Sequence, residues 1–301
     1  MKRALLLALL LAGCGGSSPS TPAQPEDETL KRATSAGDLA YAFEHPEEAI
    51  AQYQAALTRA QARDDVVAIG DLGFNLAVTE LRADAPERAL SIASATRAEF
   101  ERRNLTPFPA LLLAEATALY RLGRMEEADA AATRAQNGAD AQTSARAVFL
   151  RGLMADQRGD STALAAAVDA LRPSDEPSLQ ADASELAARL ALRRGDPGRA
   201  RAEAEHAAAL RQTAIDYRGL ARALALAGES AKQSGDAAAS AAFFLRAGQS
   251  AVAQHDAVSA RPWLEEAVAL GNHQPIGDAA QALLRDLDRN PDRAEAARQA
   301  E

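Results

Sequence analysis

The chain has 301 residues, of which 77 are alanine, 18 glycine, 13 proline and 12 aromatic. Arginine outnumbers lysine 30 to 3, and the formal net charge is −9. A hydrophobic share of 48% excludes a disordered chain, and the acidic total excludes a general nucleic-acid binder, which needs positive charge to neutralise phosphates. One cysteine excludes a disulfide framework and a zinc site built on several thiolates, while excess alanine with few β-branched residues points to helix.

Lys2 and Arg3 form a positive region ahead of an apolar stretch, Ala4 to Leu11. As a helix that stretch spans roughly 12 Å, well short of the ~30 Å hydrocarbon core of a bilayer. Residues 1–13 are therefore expected to be a cleaved signal peptide, whose loss takes Lys2 and Arg3 and leaves −11. Residues 15 to about 28 read GGSSPSTPAQPEDE, without apolar periodicity. Residues 14–30 are expected to be a tether, and its fourteen-residue stretch reaches about 43 Å when extended.

From residue 31 to 290 the pattern predicts helices throughout and no strand. They fall at about 32–43, 46–63, 65–82, 86–103, 107–122, 125–137, 141–158, 161–171, 178–194, 197–211, 213–234, 237–254, 257–270 and 276–288. Turn signals recur at Glu44, Asp84, Gly123, Gly159, Gly195 and Gly235, at intervals of 40, 39, 36, 36 and 40. A fixed period in this range marks a solenoid. Glycine suits the left-handed residue that ends a helix, and the following Asp160, Asp196 or Asp236 can cap the next. Asp196-Pro197 adds proline at the first helical position, and Thr106-Pro107 is expected to open a helix the same way.

Small residues recur at matched offsets. Seven before the turn lie Gly37, Ala77, Ala116, Gly152, Ala188 and Gly228. Five after it come Ala49, Ala89, Ala128 and Ala200; four further come Tyr53, Ala93, Ala132 and Ala204. Such spacing keeps the second-helix positions on one face and lets the helices approach closely. Pairing in the last third admits two readings. Helix 237–254 either closes the Gly235 hairpin or opens one with His255-Asp256 as its turn and Trp263-Leu264 in the second helix. Residues 291–301 form a polar tail.

Two resemblances follow from these residues. Leu11-Ala12-Gly13-Cys14 resembles the lipobox of bacterial lipoproteins. The resemblance implies that Cys14 becomes the lipid-bearing first residue of the mature chain and, since Gly15 rather than aspartate follows, that the anchor sits in the outer membrane. The repeating body, best at Gly37…Ala49-x3-Tyr53-x2-Ala56-Leu57, resembles the tetratricopeptide repeat. That implies two antiparallel helices per unit and an all-α superhelical solenoid of about seven hairpins with a concave face. The early Trp and late Pro of the motif are mostly missing, Leu164 and Ser240 replace its alanine in two units, and the units exceed the usual 34 residues.

Chemistry is sparse. None of His45, His206, His255 and His273 has a second histidine at i+3 or i+4, so no helical metal pair exists. Adjacent acids at Glu47-Glu48, Asp64-Asp65, Glu126-Glu127 and Glu265-Glu266 mostly suit helix N-termini rather than acid–base work. Gly248-Gln249-Ser250 lacks the second glycine of a nucleophile elbow, and the two Arg-Gly-Asp tripeptides are repeat turns. The expectation is a non-enzyme without metal or cofactor, apart from the covalent lipid on Cys14. It is a scaffold on the periplasmic side of the envelope that binds protein partners through the groove, for an assembly, secretion or proteolysis machine. First-helix residues Tyr41, Asn75, Tyr120 and Asp156 are the candidate groove positions. The alternative, a glycan- or nutrient-binding lipoprotein, needs aromatic platforms that 12 aromatics supply poorly. The pattern fixes no oligomeric state.

Overall fold

A computed structural model describes residues 27–254, 256–271 and 274–289. Among them run fourteen helices and no strand: α1 (Glu28–Ala42), α2 (Pro46–Ala62), α3 (Val66–Arg82), α4 (Pro86–Arg102), α5 (Pro109–Arg121), α6 (Met125–Gln136), α7 (Ala141–Arg158), α8 (Ser161–Leu171), α9 (Pro177–Arg193), α10 (Pro197–Thr213), α11 (Tyr217–Gln233), α12 (Ala237–Ala253), α13 (Ala257–Leu270) and α14 (Pro275–Arg289). The signal-like segment, Cys14, most of the tether and the polar tail lie outside the described residues.

The turns fix the helix ends. The Asp160 carboxylate accepts backbone N–H bonds from Thr162 and Ala163, and Asp196 and Asp236 cap their helices from the same position. Such a cap contributes about 1 kcal/mol. The left-handed residue falls not only at glycines but at Glu44, Asp64, Asp84, Asn104 and Ile215, with φ between 54° and 60°. Asp64, Asn104 and Ile215 close the turns between hairpins, which glycine spacing does not reveal.

Three helix starts differ from expectation. α1 begins at Glu28, four residues early, because Asp27 accepts from the N–H groups of Thr29 and Leu30. α11 begins at Tyr217 instead of 213, because α10 runs on to Thr213 and Asp216 caps the next helix through Gly219 N–H. α5 opens at Pro109, not after Thr106-Pro107. The residue before a proline is pushed to extended backbone, and Phe108 accordingly has φ −76° and ψ 150°. Its ring then packs edge-on against Phe74 and Phe100, with centroids 5.9 and 6.0 Å away.

Within hairpins, volumes are matched across the contact. The residue seven before the turn faces the one nine after it, except in the Gly159 unit, where Gly152 meets Leu186 and Ala167. Gly37 meets the Tyr53 ring, Gly228 the Phe244 ring, and Gly248 the Leu264 side chain. Where the first helix carries alanine the second does too: Ala77 with Ala93, Ala116 with Ala132, Ala188 with Ala204, each pair sharing one buried cluster. Close packing punishes a mismatch of even one methylene, so partner volumes compensate. In the unit where serine replaces the expected alanine, the buried Ser240 hydroxyl donates to the Gly228 carbonyl at 2.8 Å.

Among the described residues successive helices pack on one another from α1 to α14, and α3, α5, α7, α9 and α11 also touch in sequence to form one layer. The last third combines both pairings. α12 closes the Gly235 hairpin through Phe244 and opens the next through Gly248, and it packs on α14 as α9 packs on α11. The layer therefore shifts by one helix at α12. The all-α superhelical solenoid is thus assembled from hairpins that share a partner at this point.

Candidate functional site on the inner layer

Side chains along the α3–α11 layer are tied together at about one repeat's spacing. Arg82 donates to Glu44 at 3.2 Å, and Arg121 lies 3.8 Å from Asp84. Arg193 bonds Asp156 at 2.5 Å, and Arg222 forks onto both oxygens of Glu185 at 3.2 Å. Arginine suits this work because its planar fork engages two acceptors at once. The bias toward arginine over lysine is therefore used between repeats.

The four candidate groove residues all join this layer or its edge. Tyr41 lies under the Arg82 guanidinium, 4.5 Å from its ring centre. Asn75 is half-buried, two turns before Arg82 on the same side of α3. The Tyr120 hydroxyl accepts from Gln157 at 3.1 Å, and burial pushes its pKa up. Asp156 accepts from Arg189 at 3.1 Å as well as from Arg193. Tyr120 and Asp156 sit in one electrostatic neighbourhood with Arg189, Glu185 and Arg222, while Tyr41 and Asn75 lie toward Arg82.

The sequence reading missed the centre of that neighbourhood. Glu185 is fully buried on α9 and meets Arg189 at 3.3 Å and Arg211 at 3.6 Å besides Arg222. Arg211, itself buried, also bonds Asp182 and reaches Asp216 at 2.8 Å. Burial opposes the charge on Glu185, but Arg222 and Arg189 outweigh it and hold the carboxyl at about 2. Burial dominates at Asp182 and lifts it to about 6 against the pull of Arg211. A signal existed: acid and arginine 37 apart recur at Asp84/Arg121, Asp156/Arg193 and Glu185/Arg222.

The remaining chemical candidates are dispersed. His45 precedes α2 without a side-chain cap bond, and His206 Nδ1 lies 3.1 Å from the Ser184 hydroxyl. His255 and His273 lie outside the described residues. Glu47-Glu48 and Glu126-Glu127 occupy first helical turns, Asp65 caps α3, and Glu266 pairs with Lys232 at 2.8 Å. Among the described residues no three His, Cys, Asp or Glu side chains group as metal ligands, and no helix is long and apolar enough to cross a membrane. An open cleft of about 510 Å³ between α2 and α4 mixes Leu57, Ile69 and Ile92 with Gln54, Gln61 and Glu99. Its two acids, Asp64 and Glu99, are both engaged by Arg103 at the same cleft.

The fold is similar to that of a tetratricopeptide repeat protein from Parabacteroides merdae, with a TM-score of 0.51 and 17% identity over 86% of this chain and all of that one. BtubC from P. vanneervenii aligns with a TM-score of 0.47 and 18% identity, over 76% of this chain and 93% of its own. No protein-family model and no curated protein matches the chain. The body is thus built of tetratricopeptide-like repeats in an all-α solenoid.

Proposed function

We propose that the protein is a non-catalytic interaction scaffold, tethered by lipid on Cys14 to the bacterial outer membrane and facing the periplasm, that holds protein partners on its inner layer. The observation that carries this reading is the layer itself. The Arg82 guanidinium over the Tyr41 ring, the Gln157 bond to the Tyr120 hydroxyl and the Arg193 pair with Asp156 support reading these side chains as one recognition face. Long polar and aromatic side chains on a rigid helical support suit recognition of a polypeptide, through charge-assisted bonds and stacking. The anchor rests on the lipobox-like Leu11-Ala12-Gly13-Cys14. Two or three acyl chains hold durably where one does not, since each buried methylene contributes about 0.8 kcal/mol.

Fractionation with mass spectrometry tests the anchor, and cross-linking in the envelope tests the scaffold. The wild-type chain is expected in the membrane fraction, beginning at a diacylated Cys14, and Cys14→Ala in the soluble fraction with an unchanged circular-dichroism spectrum. Cross-linking is expected to capture one abundant envelope protein. A mature chain that begins elsewhere contradicts the anchor. Cross-links that capture no protein contradict the scaffold.

A further inference from the structure

Stacked repeats bond to their neighbours. The arginine bonds between successive units obey this, spanning for example 31 residues at Arg172–Glu203 and 40 at Arg121–Leu81. One bond does not. Arg218, in the first turn of α11, donates to the carbonyl of Arg82, the last residue of α3, at 2.6 Å across 136 residues. Arg121, at the end of α5, donates to the adjacent Leu81 carbonyl at 2.5 Å. Two guanidiniums from distant repeats therefore sit side by side on the end of one helix.

The end of α3 has reason to attract them. Carbonyls in the last turn of a helix lack intrahelical partners and carry the negative end of the dipole. From the backbone the Leu81 carbonyl receives a long 3.4 Å bond from Asp84 N–H and one from the cap residue Ala83, whose N–H is shared with the Thr79 carbonyl. Yet the arrangement is imperfectly compensated. Among the described residues no carboxylate lies within 4.0 Å of Arg218, and the nearest to Arg121 is Asp84 at 3.8 Å. Burial and the neighbouring Arg218 both push the Arg121 guanidinium below its ordinary pKa. Arg222, one turn beyond Arg218 on α11, is fastened to Glu185 on α9, so α11 is tied both to its neighbour in the layer and, through Arg218, to α3.

We propose that Arg218 is a latch that holds α11 against the end of α3 and closes the inner layer, and that a carboxylate-bearing segment of a partner opens it by drawing Arg218 and Arg121 off neutral carbonyls. A carboxylate brings a full negative charge and two acceptor oxygens that the planar guanidinium fork engages together, which a single neutral carbonyl does not offer, and this gives such a segment its advantage. The proposal rests on the scaffold reading for the partner, but the closure exists or fails independently of it.

The test is a distance between spin labels at Ala83→Cys and Ile215→Cys in the full chain carrying Cys14→Ser. Arg218→Ala is expected to widen the distance by about one helix diameter, ~10 Å, while Arg218→Lys keeps it short. An octaglutamate peptide is expected to widen the distance in the Arg218-containing chain, and octaglutamine is not. Circular dichroism checks that each variant is folded. An unchanged distance in Arg218→Ala overturns the latch. No response to octaglutamate, or equal widening by sodium chloride at matched ionic strength, overturns the opening by carboxylates. Envelope cross-linking that finds no partner while the labels behave as expected would sink the scaffold and leave the latch.

Discussion

The α3–α5 step and the α9–α11 step share one geometry and differ in what fills it. In the first, Ala77 meets Ala93, and the gap beside them holds Phe74, Phe100 and Phe108. Its buried acids, Glu80 and Glu115, each take an arginine that remains partly exposed, Arg88 and Arg97. In the second, Ala188 meets Ala204, and neither α9 nor α10 contains an aromatic residue. Phe243 of α12 packs on these alanines, and the rest of the step holds Asp182, Glu185 and Arg211, all buried, with Arg222 and Arg189 at their edge. Alanine brings backbones close but buries little apolar surface. Long arginine stems supply the missing contact, at the cost of placing charge where every member must be paired.

The sharpest way to break this comparison is Glu185→Gln. It strips three arginines of a shared acceptor, and we expect a loss of about 3–5 kcal/mol by urea denaturation. The same change at Glu115, whose Arg97 keeps Glu101 at 2.8 Å, is expected to cost less than half as much. Next comes Gly37→Ala, whose added carbon would stand 2.7 Å from the Tyr53 ring. We expect a loss of about 1–3 kcal/mol, and we expect the Gly37→Ala/Tyr53→Ala double variant, which recreates the Ala77/Ala93 arrangement, to lose less than the sum of the two single losses.

The ionic step should also be distinguishable by pH. Folded Asp182 holds its proton up to about 6, whereas the free carboxyl releases it near 3.8. Between those values the folded state binds the extra proton, so this group's contribution to stability falls as pH rises and levels off above 6. Melting temperature against pH should show that fall, on the order of 1–2 kcal/mol, and Asp182→Asn should abolish it. Glu185 acts oppositely but below about pH 4.5, outside most of that window. The smallest effect is a gain. Ile215 is β-branched at φ 57°, so Ile215→Gly should stabilise by about 1 kcal/mol, read as a higher urea midpoint.

Much of the fold is legible in residue spacing. Ala49, Ala89, Ala128 and Ala200 recur where the two helices touch, and all four are buried, as are Leu164 and Ser240 at the matching positions. Turns at Gly159, Gly195 and Gly235 are visible because glycine advertises a left-handed backbone. Those at Asp64, Asn104 and Ile215 are not, because an ordinary residue is held there by its flanking helices. The site was half legible. Tyr120 and Asp156 stand out at first-helix ends, but Glu185 reads as one more surface acid on an amphipathic helix. Its burial depends on Arg222, a full repeat away, and only the 37-residue pairing of charges betrays it. The Arg218–Arg82 contact depends on the accumulated curl of the intervening helices, which no local pattern encodes.

Hydrogen exchange in the native state, read by mass spectrometry on the wild-type chain and on Glu185→Gln, tests the central claim that each step is held by its own contacts. The variant is expected to lose protection in α9, α10 and α11 while α1 to α6 exchange as before. Uniform loss across all the described helices, or unchanged protection in α9 to α11, would contradict it.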